Sequence, residues 1–387
     1  MADSIYLDNA ATSQPKPEVV YRAVERALRA GGSPGRGSHQ QALAAERLVF
    51  ETRDLLAQLI GAESTAGIIF SANATVALNQ ALFGVLRSGD RVVTTGMEHN
   101  AVMRPLKALQ DRGISVATVA GAPLSGLVEV GELKRECLAG STRMLVVNHC
   151  SNVSGTLQQI EELGPWCRQQ GILFLVDAAQ SAGSFPLDVQ ASAIDLLAAP
   201  GHKSLLGPQG TGFLYIRPGL ELQPLIYGGT GGQSHRERQP LDLPQALESG
   251  TCNLPGLAGL NAALKFLQET GIKQIREHEQ QLMRRLLVGL EKFSAVTLYG
   301  PDSGIQRGAV ASFNLTDRDP AEIGFFLDRQ WRISTRVGLH CAPAAHRSLG
   351  TYPVGTVRVS PGYFTTPAEI DRFLLALEAF IETPFSG

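Results

Sequence analysis

Short apolar runs recur along the first two-thirds of the chain, separated by stretches with helical spacing: Gly67–Ser71, Arg91–Thr95, Met144–Asn148 and Ile172–Asp177. Runs this uniformly apolar suit strands buried on both faces of a mostly parallel sheet. Between the runs lie helical patterns such as Ala44–Ile60. The alternation predicts an α/β domain with helices on both sides of its sheet. In such open sheets, sites collect at the carboxyl ends of the strands.

After about residue 255 the texture changes. Ile272–Phe293 carries Ile275, Leu282, Met283, Leu286, Leu287 and Leu290 at helical spacing, with charges on the other face. The final helix opens on a capping box of Thr366 and Glu369, with Pro367 in its first turn. Its buried stripe is expected to be Ile370, Phe373, Leu374 and Leu377. Strand-like Val310–Asn314 and Thr356–Ser360 complete a smaller α+β domain. The expected division is a large domain over 15–255 and a small one over 256–387, joined by an N-terminal segment, 1–14.

The 387 residues, 44% hydrophobic and 18% charged, suit a globular enzyme of two domains. A net charge of −2 without blocks of like charge gives no reason to expect nucleic acid or an acidic membrane surface as partner. The N-terminus shows no secretory pattern and no run is long enough for a membrane span. Five cysteines, odd in number and without a C-x-x-C pair, favour a reducing cytoplasmic setting. Most of them read as small buried hydrophobes.

Three polar segments interrupt the apolar pattern where a site is expected. Asp177 ends a strand, Lys203 sits in Ala199-Pro200-Gly201-His202-Lys203-Ser204, and Phe70-Ser71-Ala72-Asn73-Ala74-Thr75 joins a strand to a helix. Taken singly, each has an ordinary reading: a turn or cap, a solvated lysine, an N-cap. Taken together, they supply an amine for a Schiff base, an acid for a pyridine nitrogen and a helix N-terminus for a phosphate, the needs of pyridoxal 5'-phosphate (PLP).

A series of motifs then runs in order from residue 6 to residue 360: Tyr6-Leu7-Asp8-Asn9-Ala10-Ala11-Thr12, Met97-Glu98-His99-Asn100, Ser151-Asn152-Val153-Ser154-Gly155, Val176-Asp177-Ala178-Ala179-Gln180, Gly201-His202-Lys203 and Arg336-Val337-Gly338-Leu339-His340-Cys341-Ala342. The series resembles the class V aminotransferase superfamily, in its cysteine desulfurase and selenocysteine lyase branch. The resemblance implies PLP fold type I, with the cofactor held by the large domain. Lys203 would carry the cofactor, Asp177 would pair with the ring nitrogen, and Gln180 would bond the ring hydroxyl. His99 would stack on the ring and act in catalysis, with Asn152 beside the ring and helping to anchor the substrate. Ala74, Thr75 and His202 would hold the phosphate. Gly250-Thr251 would reach that phosphate from the other subunit, implying a homodimer with shared sites. Arg358, together with Arg336, would grip the carboxylate of cysteine or selenocysteine. The resemblance also implies a sulfur-acceptor protein and a link to iron–sulfur clusters.

Cys341 decides which reaction is expected. It lies in a loop expected over 338–355, between two arginines and beside His340, where positive charge favours a nucleophilic thiolate. Its spacing from Arg336 matches the branch's Arg-x-Gly-His-His-Cys motif, which implies that Cys341 accepts sulfur as a persulfide while alanine is released. A buried small residue and a zinc ligand with His340 and His346 are the plainer readings. Three departures from the motifs stand out: Leu339 for the first histidine, Pro200 for a serine, and one extra residue after Lys203. The segment Gly228–His235 is also distinctive. The alternatives are a selenocysteine lyase, another PLP-dependent lyase or transaminase, and a non-catalytic scaffold. No G-x-G-x-x-G follows any strand, which disfavours a nicotinamide enzyme.

Overall fold

The computed structural model describes residues 4–35, 37–231, 237–302 and 305–382. Strand β1 (Ile5–Tyr6) leads into helices α1 (Glu18–Ala30) and α2 (Gln40–Leu59). The large domain then alternates β2 (Ile68–Ser71), α3 (Ala74–Val85), β3 (Arg91–Thr95), α4 (Asn100–Gln110), β4 (Ser115–Val119), α5 (Val130–Leu138), β5 (Thr142–Asn148), α6 (Ile160–Gln170) and β6 (Leu173–Asp177). Strands β7 (Leu196–Pro200) and β8 (Gly212–Ile216) follow without an intervening helix.

These seven strands form one sheet in the order β2-β8-β7-β6-β5-β3-β4, in which only β8 runs antiparallel to its neighbours. Side chains alternate across it as a strand requires. On β5, Leu145 and Val147 enter a core shared with α2, α5 and α6, while Met144 and Val146 enter one shared with α3 and α4. The strand order reverses between β3 and β5, and the crevice at that switch point is where an open α/β sheet offers a site.

The chain continues through α7 (Leu254–Thr270), α8 (Ile272–Leu290), β9 (Val296–Tyr299), β10 (Ala311–Leu315), α9 (Pro320–Trp331), β11 (Ile333–Ser334), β12 (Arg336–Gly338), α10 (Pro343–Leu349), β13 (Thr356–Val359) and α11 (Pro367–Glu382). Strands β12-β13-β10-β9 form a small antiparallel sheet that packs with α8, α9 and α11 around a third core. Ile5 and Leu7 join that core, and β1 pairs with β11 in a separate two-stranded sheet, so the N-terminal segment crosses onto the small domain.

Two sequence expectations shift in detail. Residue 255 falls at the start of α7, yet Leu257, Leu260 and Leu264 of that helix pack into the large sheet's core, and the third core begins at Leu282 of α8. The stretch expected as a loop over 338–355 holds a two-turn helix, α10, started by Pro343 and ended at Gly350. The capping box of α11 forms as expected, with Thr366 N–H on Glu369 Oε2 at 2.7 Å and Glu369 N–H on Thr366 Oγ1 at 3.3 Å. Within its stripe Leu374 is only half-buried.

Buried Arg307 straps the two sheets together. Its guanidinium donates to the carbonyls of Ser154, Tyr299, Pro301 and Val310 at 2.6–3.2 Å.

Candidate active site

A cavity of about 220 Å³ opens at the carboxyl ends of the large sheet's strands. At one end, β2 hands over to α3 through Asn73, whose Oδ1 accepts the Val76 N–H at 2.9 Å. That cap leaves the amides of Ala74 and Thr75 without intrahelical partners, and both residues line the cavity. An anion fits there, against the helix dipole. Gly212 of β8 makes the cup by its lack of a side chain, since a Cβ would sit 2.9 Å from the backbone of Asn73.

The neighbouring strand ends carry the polar groups expected of them. Asp177 ends β6 with its carboxyl buried, and Oδ1 accepts the Ala179 N–H at 2.9 Å. Burial raises its pKa, against the opposing pull of that amide and of Lys203. Lys203 lies beyond β7; its backbone carbonyl accepts the Leu206 N–H at 2.8 Å, while its side-chain amine makes no hydrogen bond among the described residues. Burial lowers its pKa to about 8, with Asp177 opposing and the cations of Arg358 and Arg336 adding to the effect. Beyond β3, His99 caps α4: Nδ1 accepts the Ala101 N–H at 3.0 Å, which puts the ring proton on Nε2. Burial, then Lys203 and nearby arginines, lower its pKa to about 4, so the ring is neutral. His202 is likewise pushed down to about 4, chiefly by burial, and its buried Nδ1 has no partner. Gln180 lines the cavity with its amide Nε2 on the Ala10 carbonyl at 2.9 Å.

At the opposite end stand two arginines, directly opposed on β12 and β13. Arg358 is 1% exposed, donating to Asp8 Oδ1 at 2.6 Å and to the Asn152 carbonyl at 3.0 Å. Arg336 donates to Cys341 Sγ at 3.5 Å. The thiol is exposed, on a turn where His340 and Cys341 both take left-handed backbone angles, φ 48° and 58°. Two successive non-glycine residues there cost about 1–3 kcal/mol each, so the turn must be held. It is held by Asn152 Nδ2 on the His340 carbonyl at 2.8 Å and by Asn100 N–H on the Cys341 carbonyl at 2.8 Å.

One electrostatic expectation is corrected. His340 does not supply positive charge to the thiol: it is buried against Thr356 Oγ1 at 3.0 Å, and burial, with Arg358 adding, drives its pKa down to about 2. Among the described residues, the cation bonded to the thiol is Arg336, one of the two arginines that flank the loop in sequence.

The sequence model of the family described as Aminotransferase class-V matches residues 5–373. The chain belongs to that family. Within it, the chain sides with the cysteine desulfurases. It is 36% identical over 385 residues to the probable cysteine desulfurase of Methanothermobacter thermautotrophicus, covering 98% of this chain and 95% of the relative. It is 33% identical over 391 residues to the probable cysteine desulfurase of Pyrococcus abyssi, covering 98% and 94%. Among solved structures, the apo cysteine desulfurase of Thermococcus onnurineus superposes with a TM-score of 0.91 at 31% identity, covering 98% of this chain and 95% of that one. The cysteine desulfurase CsdA of Escherichia coli does so with 0.87 at 27%, with the same coverage.

Class-V membership makes this a PLP-dependent enzyme of fold type I, and the cavity fits that cofactor. Free helix amides and the orphaned His202 Nδ1 suit its phosphate, Asp177 its ring nitrogen, His99 its face and Lys203 its aldehyde. Thr251 stands apart: it is exposed and not on the cavity wall. The distinctive segment Gly228–His235 lies partly outside the described residues.

Reading the sequence alone passed over several residues of the wall and its supports. Asn73 was not singled out, although the segment that holds it had N-capping as its ordinary reading and an Asx residue before a helix is a cap signal. Asn148 and Cys150 line the cavity from the end of β5, and Glu98 lies buried behind it, with Oε1 accepting from Thr95 Oγ1 at 2.6 Å and Asn148 N–H at 2.9 Å. No periodicity marks such residues, because their roles follow from which strands are neighbours.

Proposed function

We propose that the chain is a cysteine desulfurase, which takes sulfur from L-cysteine onto Cys341 as a persulfide and releases L-alanine. The observation that carries this reading is the placement of an exposed thiol on a strained, doubly tethered turn, bonded to an arginine of the cofactor cavity. A transaminase has no use for a thiol so placed.

When bound, PLP supplies an electron sink for negative charge developing at the substrate's α-carbon. Asp177 holds a proton at the ring nitrogen, which keeps that sink strong. His99, neutral and fixed by its cap, would pack against the ring face, and Asn152 would flank the ring and help anchor the substrate. The amides of Ala74 and Thr75, with His202, orient the phosphate. Arg336 and Arg358 bind the substrate carboxylate. Lys203 would supply the amine that holds the cofactor's aldehyde and, as a free base, would take the α-proton, a task helped by a pKa of about 8. Cys341 thiolate attacks the substrate sulfur: the new S–S bond forms as the carbon–sulfur bond breaks, and its electron pair stays with the three-carbon skeleton, which takes up protons and leaves as alanine.

The same reading assigns Thr251 to the phosphate of a second subunit, hence a homodimer, and hands the sulfur to an acceptor protein in the cytoplasm. Its exposure on the monomer's surface supports that assignment. No helix among the described residues is long and apolar enough to cross a membrane. The test is turnover of L-cysteine with alanine and Cys341-bound persulfide measured together. Alanine without persulfide on Cys341 overturns the sulfur-accepting role of that thiol; selenocysteine turned over equally by wild type and Cys341→Ala while cysteine is inert replaces this reading with that of a selenocysteine lyase.

A further inference from the structure

The substrate end of the cavity holds two guanidinium groups on directly opposed residues of antiparallel strands, Arg336 and Arg358. Like charges so placed repel, and a cation buried to 1% exposure requires an anion. Asp8 is that anion, at 2.6 Å from Arg358 Nη2. Its place is fixed by the fold: Asp8 bridges to Ser360, just beyond β13, and the Tyr6 hydroxyl donates to its carbonyl at 3.1 Å.

The charge count at this end is then short. Arg336 makes no ion pair within 4.0 Å among the described residues, and its hydrogen bond goes to Cys341. His99 and His340 are neutral, their pKa values lowered to about 4 and about 2. Two positive charges less one negative leave a net charge of one. Arg358 also has its fork partly taken: Nη2 goes to Asp8, Nη1 to the Asn152 carbonyl, and the buried Nε has no partner.

We propose that Asp8 is a specificity-determining residue, which by neutralising Arg358 restricts the cavity to amino acids with an uncharged side chain and disfavours those with a second anionic group. The inference rests on the reading of Arg336 and Arg358 as the substrate-carboxylate site. A merely structural Asp8, one that only keeps Arg358 straight, predicts equal weakening of every amino acid when it is replaced.

The experiment uses PLP-loaded enzyme and the isosteric pair L-asparagine and L-aspartate, which differ by one charge, with binding read from the change in the cofactor's absorbance. Alanine formation from L-cysteine by the wild type is measured first, and its absence sinks the parent reading rather than this one. With that activity present, the wild type is expected to bind L-aspartate at least about tenfold more weakly than L-asparagine, a difference of about 1.4 kcal/mol. In Asp8→Asn the ratio is expected to shift toward L-aspartate by about tenfold or more, and in Asp8→Glu, which keeps the charge, to stay as in the wild type. Equal binding of the two ligands by the wild type overturns the proposal even if neither variant folds. So does a parallel change for both ligands in Asp8→Asn, or a shift in Asp8→Glu equal to that in Asp8→Asn.

Discussion

The backbone N–H of Asn100 donates to the carbonyl of Cys341 at 2.8 Å, so the thiol-bearing turn of the small domain hangs on the first residue of the helix that His99 caps. Cys341 and His99 are thereby held in one frame, as their proposed roles of sulfur acceptor and ring-stacking residue require. Cys341→Ala keeps that backbone bond and the whole cavity wall while removing the nucleophile. Alanine formation from L-cysteine is expected to fall by about 100-fold or more, with cofactor content and absorbance unchanged. A variant that keeps most of its activity contradicts the role given to the thiol.

Lys203 is predicted to capture the cofactor at a lower pH than an ordinary lysine does. The free amine is the reactive form, and burial lowers its pKa from 10.5 to about 8. The rate of PLP uptake by the apo-protein is therefore expected to rise with pH around a midpoint of about 8. Asp177 opposes that lowering, so Asp177→Asn is expected to move the midpoint further down while turnover drops by about 100-fold or more from loss of the charge at the ring nitrogen. A midpoint that rises in Asp177→Asn contradicts the electrostatics described.

Glu98 is buried with Oε2 unpartnered, and burial raises its pKa from 4.5 to about 8. The folded state thus holds its proton more tightly than the unfolded chain does. The stabilisation is complete below about 4.5 and is lost as the pH rises toward about 8. Glu98→Gln, neutral at every pH, is expected to lose less stability between about pH 5 and pH 8 than the wild type does, as read from urea midpoints. An identical pH dependence in the two proteins counts against a raised pKa at this position.

Removing the strap between the sheets has a stability cost. Arg307→Ala strips four carbonyls of their charged donor and is expected to destabilise the fold by about 3 kcal/mol or more in urea unfolding. A loss below about 1 kcal/mol means that water replaces the guanidinium at no great cost.

Much of the large domain was legible in the sequence because its strands are buried on both faces. Arg91–Thr95 was read to the residue, and the ends of Ile172–Asp177 and Met144–Asn148 moved by two residues or fewer. The reversed direction of β8 was not legible, since an apolar run carries no sign of which way it points. The cavity-lining residues carried by motifs arrived together: Lys203, Asp177, His99, Asn152 and the two arginines line one cavity. The partners that tune them did not, because Asp8 meets Arg358 across 350 residues of chain and Glu98 meets Asn148 across 50. His340 misled for the same reason: beside Cys341 in sequence, it turns inward to Thr356.

The central claim is that the amine of Lys203 carries PLP. Purified protein saturated with PLP, treated with borohydride and digested, is to be mapped for the reduced pyridoxyl group by mass spectrometry. One modified position, Lys203, with loss of the yellow colour on reduction, is the predicted result. A colourless protein, or a reduced adduct on any other lysine, contradicts the account.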